Sequence, residues 1–294
     1  MKILCFGSLN LDKVYSVDHF VRAGETMSSA KLEEFCGGKG LNQSVALARA
    51  GGEVYHAGCV GAADGGMLLE MLRSSGVDTS LVRQLSCPSG HAIIQVNGSG
   101  QNCILLYGGA NQEVSTEQID ETLAKFDAGD ILVLQNEISN LHYLVEAAGK
   151  KGMVIVLNPS PMTPELLKLP LEYVRYFLLN EVEAQDLCGE DIAEEDRPGK
   201  LLQRYPGSKV VMTLGSRGCI YQDADRKISQ PACPVEAVDT TAAGDTFTGF
   251  FVAAIAAGTD VKTALEQATK AAAISVSRKG AAPSIPTREE MLAF

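Results

Sequence analysis

Residues 131–157 read ILVLQNEISNLHYLVEAAGKKGMVIVL, and the architecture follows from them. Two short apolar runs, Ile131–Leu134 and Val154–Leu157, flank Leu141–Lys150, whose pattern is helical. Neither run alternates apolar with polar residues, so each reads as a strand buried on both faces. Strand, helix and strand joined in this way form a right-handed crossover that leaves the two strands parallel.

The same unit recurs to either side. Further strands are expected at Ile3–Phe6, Val54–Val60, Tyr176–Leu179 and Val210–Leu214, several of them followed by Gly or Asn. Further helices are expected at Gly40–Ala50, Gly65–Ser75, Thr116–Phe126, Pro198–Tyr205, Asp245–Ala257 and Val261–Ser277. This alternation predicts an α/β fold, with helices on both sides of a mainly parallel central sheet. Two regions break the pattern: Asp12–Phe35 and Ser89–Tyr107 read as antiparallel strand segments, the second turning at Asn97-Gly98-Ser99-Gly100. Together they predict a small sheet beside the main one, too small to be stable alone. No fixed-period repeat, low-complexity tract or long linker is visible, so residues 1–294 read as one domain with insertions at about 12–35 and 89–107.

The chain of 294 residues is 46% hydrophobic and 21% charged, as in ordinary globular proteins. Its formal charge of −11 argues against a broad nucleic-acid or acidic-membrane surface, which needs clustered Lys and Arg. Anionic ligands would be held locally instead. Eight cysteines are scattered with no CxxC pair and the four histidines lie far apart, so no zinc-type spacing exists. Free thiols in a reducing cytoplasm are the expectation. The opening MKILCFG lacks the apolar region of a secretory signal, and the longest apolar run, Phe250–Ala257, is too short for a bilayer.

Two stretches carry candidate chemistry. In VDTTAAGDTFTGFF, Val238–Phe251, a small-residue turn leads into a helix and Asp245 stands near its start. Helix N-termini present unsatisfied N–H groups and partial positive charge. Asp245 therefore reads either as a cap or as a base beside an anion held by the N–H groups of Ala242, Ala243 and Gly244. In EFCGGKGLNQSVALARAGG, Gly37, Gly38 and Gly40 lead into a helix carrying Asn42, Gln43 and the small residues Ala46, Ala48 and Ala50. The glycines permit either a structural turn or the close approach of a ligand or another backbone. Neither common phosphate loop is matched, since GGKG is followed by Leu and Asn and no GxGxxG is present.

Six stretches in register resemble the ribokinase-like, or PfkB, family of carbohydrate kinases: GSLNLD (Gly7–Asp12), GGKGLNQ (Gly37–Gln43), NEVEAQ (Asn180–Gln185), TLGSRG (Thr213–Gly218), DTTAAGDTFTG (Asp239–Gly249) and RKGAAPSIP (Arg278–Pro286). The resemblance covers nearly the whole chain. It implies a three-layer α/β/α sandwich with a β-sheet lid, and ATP-dependent phosphorylation of a sugar hydroxyl, with O5 of D-ribose the first candidate. It also implies Asp245 as general base and an anion hole formed by the N–H groups of Ala242, Ala243, Gly244 and Asp245. Phosphoryl transfer asks a protein mainly for positioning and charge stabilisation, which helix-start donors can supply.

By the same resemblance Asn10, Asp12, Gly38, Lys39, Gly40, Asn42 and Glu137, with Asp245, would hold the sugar, and carboxylates and amides suit a polyol. Asn180, Thr213, Leu214, Gly215, Ser216, Arg217, Gly218, Gly244 and Thr269 would hold ATP. Asn180 and Glu183 would organise Mg2+ through water, which suits an ion that keeps much of its hydration shell. Alone, Arg278-Lys279-Gly280 suggests a phosphate clamp. The resemblance instead gives Asp239, Thr241, Ser275, Arg278, Gly280 and Ser284 to a monovalent cation, usually K+, bound largely through backbone carbonyls. The lids of two subunits would pair in a homodimer and hide their edge strands.

Other substrates stay open: fructose, deoxyribose, a keto-deoxy sugar or a nucleoside. So does a sugar- or nucleotide-binding regulator that has lost catalysis, although Asp245, the small-residue turn, Asn180 and Glu183 together argue for an active kinase. Leu41 stands where the family usually has a smaller residue. Phe35, Cys36 and His91 are expected near the sugar pocket, where they would alter its shape.

Overall fold

The apolar runs assemble into one large sheet, seen in a computed structural model that describes residues 1–189 and 191–294. The first elements are β1 (Ile3–Phe6), β2 (Asn10–Ser16), β3 (Lys31–Gly37), α1 (Lys39–Arg49), β4 (Val54–Gly61), α2 (Gly66–Ser74) and β5 (Asp78–Leu85). There follow β6 (Gly90–Val96), β7 (Asn102–Tyr107), α3 (Thr116–Leu123), β8 (Ile131–Gln135), α4 (Leu141–Lys151), β9 (Val154–Asn158), β10 (Val174–Asn180) and α5 (Glu181–Cys188). The last are α6 (Arg197–Arg204), β11 (Lys209–Thr213), β12 (Cys219–Gln222), β13 (Lys227–Gln230), α7 (Ala243–Ala256), α8 (Val261–Val276) and α9 (Arg288–Ala293).

The large sheet has nine strands in the order β13-β12-β11-β10-β9-β8-β1-β4-β5. All neighbours from β11 to β5 are parallel, and β12 and β13 close one edge antiparallel. Ile3, Cys5, Ile131 and Val133 join a core under α1, α2, α7 and α8, while Leu4, Phe6, Leu132 and Leu134 join a second core under α3 to α6. Both faces are covered, so successive residues are apolar whichever way they point. The result is the three-layer α/β/α sandwich. Among the described residues no helix is long and apolar enough to cross a membrane.

One helix crossing fixes the site. A Cβ on Gly249 would lie 2.3 Å from Ala46 Cβ and 2.7 Å from Leu47 N, so only glycine lets α7 pack this closely on α1. That contact brings the first turns of the two helices together.

The second sheet has the order β3-β2-β6-β7. Its outer pairs are antiparallel as expected, but β2 and β6 run parallel, because two separate excursions of the chain meet along one seam. Gly100 N–H donates to Asn97 O at 2.9 Å in the expected turn. Residues 17–30, inside a stretch expected to be strand, form neither strand nor helix.

Other boundaries shift for local reasons. α3 ends at Leu123 rather than Phe126, where Lys125 and Phe126 donate to Thr122 and Leu123 in tighter turns. α7 begins at Ala243 rather than Asp245, because Ala242 takes a left-handed conformation, φ 59°, and ends the preceding loop. Asp245 is thus the third helical residue and not the cap.

Candidate active site

Ser8 and Asn10 follow β1, Glu137 follows β8, and Asn158, Asn180 and Thr213 end β9, β10 and β11. All lie at the carboxyl ends of parallel strands, where open α/β sheets bind their ligands. The first turns of α1 and α7 complete the group.

Asp245 stands between those two helices. Asn42 Nδ2 donates to its Oδ2 at 3.0 Å and Gln43 Nε2 to its Oδ1 at 2.9 Å. Burial raises its pKa to about 6, although the bonds from Gln43 and Asn42 and the charge of Lys39 act in the opposite direction. The carboxyl is therefore mostly ionised at pH 7 but close to titrating. Beside it, the N–H groups of Gly244 and Asp245 have no acceptor among the described residues, whereas Ala243 N–H donates to Thr240 O at 3.3 Å. The left-handed Ala242, unusual for a residue with a Cβ, turns the chain so that these donors face outward. Asp245 is not the cap, and the geometry sets its carboxyl beside N–H donors without an acceptor.

A second polar group lies on β2 and the loop after β8. Asn111 Nδ2 donates to Asn10 Oδ1 at 2.7 Å, fixing that amide with its own NH2 group free. Asp12 accepts no side-chain hydrogen bond among the described residues, and burial together with Glu137 raises its pKa to about 6. Lys39 Nζ pairs with Glu137 Oε1 at 3.1 Å, and Ser8 Oγ and the Lys39 N–H both donate to Oε2. Burial works against the Lys39 charge, but Glu137 and Asp245 outweigh it and its pKa stays above the ordinary value. A Cβ on Gly40 would lie 2.4 Å from Ser8 N, and one on Gly38, φ 91°, 3.0 Å from Ser8 O. The glycines therefore serve the approach of another backbone, that of residues 7–10.

Two cavities meet at the head of α7. The smaller, about 250 Å³, is polar and lined by Lys39, Asn158, Asn180, Glu183, Thr213 and Asp245, among others. The larger, about 450 Å³, is mostly apolar and lined by Thr213, Gly215, Ser216, Gly218, Thr269 and the segment around Val235. Thr213, Thr240, Ala243, Gly244 and Phe247 form a wall common to both. Asn180 and Glu183 make a capping box, with Glu183 N–H donating to Asn180 Oδ1 at 2.8 Å and Asn180 N–H to Glu183 Oε2 at 3.0 Å. Glu183 Oε1 is left for the cavity.

Some expected residues fall elsewhere. Leu214 is buried, and the Arg217 guanidinium pairs with Glu194, with Nη2 2.8 Å from Oε2, so neither lines the larger cavity. Arg278 pairs with Glu290 at 2.7 Å, which removes its side chain from any phosphate and leaves only its backbone. Asp239 accepts from Thr241 N–H and Oγ1 at 2.9 and 2.6 Å and from Gly280 N–H at 2.9 Å, joining the loops before α7 and after α8. Ser275 and Ser284 hydroxyls meet at 2.8 Å nearby in sequence.

His91 and Cys36 both pair with Leu11, one position away from Asp12, and so occupy the opposite face of the second sheet. His91 lines a separate cavity with Lys13, Asp64 and Met67. Only Phe35 shares the Asp12 register. Leu41 is fully buried in the core beneath α1. Sequence reading missed Ser8, Asn111 and Asn158, and gave Gln43 no role. Asn158 carried the same signal as Asn180, an amide directly after a buried apolar run.

A family model described as pfkB family carbohydrate kinase matches residues 1–288. The chain belongs to this family of carbohydrate kinases. It is similar to the ribokinase of Haemophilus influenzae, 38% identical over 98% of this chain and 96% of that protein. It is also similar to the deoxyribokinase of Salmonella typhi, 32% identical over 99% of this chain and 97% of that protein. The structure of Arabidopsis thaliana ribokinase complexed with ribose and ATP aligns with a TM-score of 0.87 and 30% identity, covering 99% of this chain and 97% of that one.

Proposed function

We propose that the protein transfers the γ-phosphoryl group of ATP to O5 of D-ribose, with Asp245 as general base. The observation that carries this reading is the pairing at the head of α7, where unpartnered N–H groups of Gly244 and Asp245 adjoin a carboxylate fixed by Asn42 and Gln43. The sugar lies among Asn10, Asp12, Lys39 and Glu137 under the second sheet, which acts as a lid formed by insertions at 12–35 and 89–107. Adenosine occupies the larger apolar cavity and its phosphates point toward the turn. The sugar oxygen attacks the γ-phosphorus, the bond to the bridging oxygen of ADP breaks, and the hydroxyl proton passes to Asp245. A base with a pKa of about 6 is ionised in roughly nine-tenths of molecules at pH 7.

Mg2+, bound with ATP, would offset charge on the phosphate oxygens. Glu183 Oε1 and the Asn180 side chain, facing the smaller cavity, fit an ion held through water. For a monovalent cation, the loops tied by Asp239 fit a site of carbonyl and carboxylate oxygens, with K+ the first candidate. β7 exposes all six of its residues, Ile104, Leu105, Leu106 and Tyr107 among them, and a homodimer through this edge would cover them. The eight free cysteines suit a reducing cytoplasm.

The second reading, a kinase for another small sugar, rests on the similarity to a deoxyribokinase. An ATP-consumption screen over ribose, deoxyribose, fructose, keto-deoxy sugars and nucleosides, with and without K+, separates the two. Ribose should be preferred, and Asp245→Asn should lower its turnover by at least about 10²-fold. Near-normal turnover in that variant would remove the base assignment, and preference for another sugar would remove ribose.

A further inference from the structure

Behind Asp245 lies a chain of buried amides that the phosphoryl-transfer scheme does not use. Gln135, the last residue of β8, donates from Nε2 to Gln43 Oε1 at 2.6 Å. Gln43 Nε2 then donates to Asp245 Oδ1 at 2.9 Å and to Asn158 Oδ1 at 3.3 Å. Asn158 is itself oriented by its Nδ2 donating to Leu178 O at 2.9 Å. Every bond points the same way. Reversing the Gln43 amide would set its oxygen against a carboxylate and a carbonyl oxygen, and its NH2 against the NH2 of Gln135. Gln43 and Gln135 are fully buried, and Gln135 Oε1 has no partner among the described residues. A buried carbonyl without a donor is costly, so a side chain kept there for packing alone would be better replaced by an apolar one.

We propose that Gln135 and Gln43 are positioning residues for the base: Gln135 locks the Gln43 amide in the one orientation that donates to Asp245, which fixes the carboxylate and favours its ionised form. This rests on the reading of Asp245 as general base. Gln43 is the largest hydrogen-bond influence favouring the charged form of Asp245, against a burial that disfavours it. The other titratable groups facing Asp245 are Lys39 on α1, Glu137 after β8 and Cys5 on β1. Changing Gln135 touches neither Lys39 nor Glu137; it removes only a long bond from Gln135 Nε2 to Cys5 Sγ, 3.7 Å, from a thiol that burial already holds neutral with a pKa of about 11.

The test compares Gln135→Met, Gln43→Leu and the double variant by steady-state kinetics from pH 5 to 8, with ribose and ATP as substrates. Gln135→Met should lower kcat by about tenfold to a hundredfold, leave both KM values within about twofold, and move the acid limb of kcat to higher pH. The double variant should be no slower than Gln43→Leu, because Gln135 acts only through Gln43. Gln135→Asn keeps a neutral amide but is too short to reach Gln43, so it should shift the limb the same way, with no added charge, even if the methionine variant folds poorly. An unshifted limb in a folded Gln135 variant, or losses that add in the double variant, would overturn the relay. If Asp245→Asn retains turnover, the base reading fails instead; if Asp245→Asn is inactive while Gln135 variants are unaffected, only the relay fails.

Discussion

Glu137 holds Lys39 at two points: its Oε1 lies 3.1 Å from the ammonium and its Oε2 3.1 Å from the backbone N–H of the same residue. One carboxylate thus sets both the side chain and the start of α1. It also adds negative charge near Asp12 and Asp245, which discourages their ionisation. Glu137→Gln is expected to raise the KM for sugar by about tenfold, since a charge-assisted bond to a half-buried group is lost. The acid limb of the activity profile should move to lower pH. A limb that moved upward would show that the freed Lys39, and not Glu137, governs the field at the site.

Asp12 and Asp245 both titrate near 6, well above ordinary aspartate. If sugar binding needs the first and proton abstraction the second, log(kcat/KM) for the sugar should fall with a slope approaching two below pH 6, and with a slope of one in Asp12→Asn. Stability should run the other way. A carboxyl whose pKa is higher in the folded than in the unfolded chain contributes stability that is fully present below about pH 4 and lost as pH rises through about 6. Thermal melts between pH 4 and 7 should show this fall, and it should be shallower in Asp12→Asn. A melting temperature that rises steadily across that window in both proteins would contradict the raised values.

Two glycines should respond oppositely to alanine. At Gly40 a new Cβ would meet backbone atoms at 2.4 and 2.5 Å, which cannot move aside, so Gly40→Ala should lower the melting temperature by many degrees or prevent folding. Gly244 has open space around it and sits in the first turn of α7. Gly244→Ala should melt at or slightly above the wild-type temperature, because alanine favours helix by about 1 kcal/mol. Its new methyl enters the wall between the cavities, so the KM for ATP should rise. Unchanged ATP kinetics in a folded Gly244→Ala would place the phosphates elsewhere.

Leu105, 67% exposed on β7, is the most open of its apolar neighbours. A glutamate there should repel its counterpart across a paired edge. Leu105→Glu is expected to shift sedimentation from dimer to monomer and to weaken sugar binding, because the lid loses its support. A wild-type protein that sediments as a monomer at micromolar concentration would remove this interface.

The large sheet was readable because strands such as β8 and β9 are covered on both faces and carry no polar residue before their last positions, Gln135 and Asn158. β5, β12 and β13 were not, since they lie at or next to the sheet edges and many of their residues are only partly buried. His91 and Cys36 were misplaced because neighbouring residues of a strand face opposite ways, and the sequence does not show that both oppose Leu11 and not Asp12. Asp245 was legible as candidate chemistry, and Asn10 and Asp12 became candidates only through the family resemblance. The company they keep was not legible, because Asn42 and Gln43 reach Asp245 from about two hundred positions away in the chain, 203 and 202 residues respectively.

The wall shared by the two cavities is a single helical turn with the ends of adjacent loops. On the proposed reading the nucleotide spans both rooms, its adenosine in the larger and its phosphates crossing to the smaller, which Asn180, Glu183 and Asp245 line. Any molecule long enough to occupy both rooms at once would have to thread past Gly244, the one position in that wall where there is no side chain to stop it.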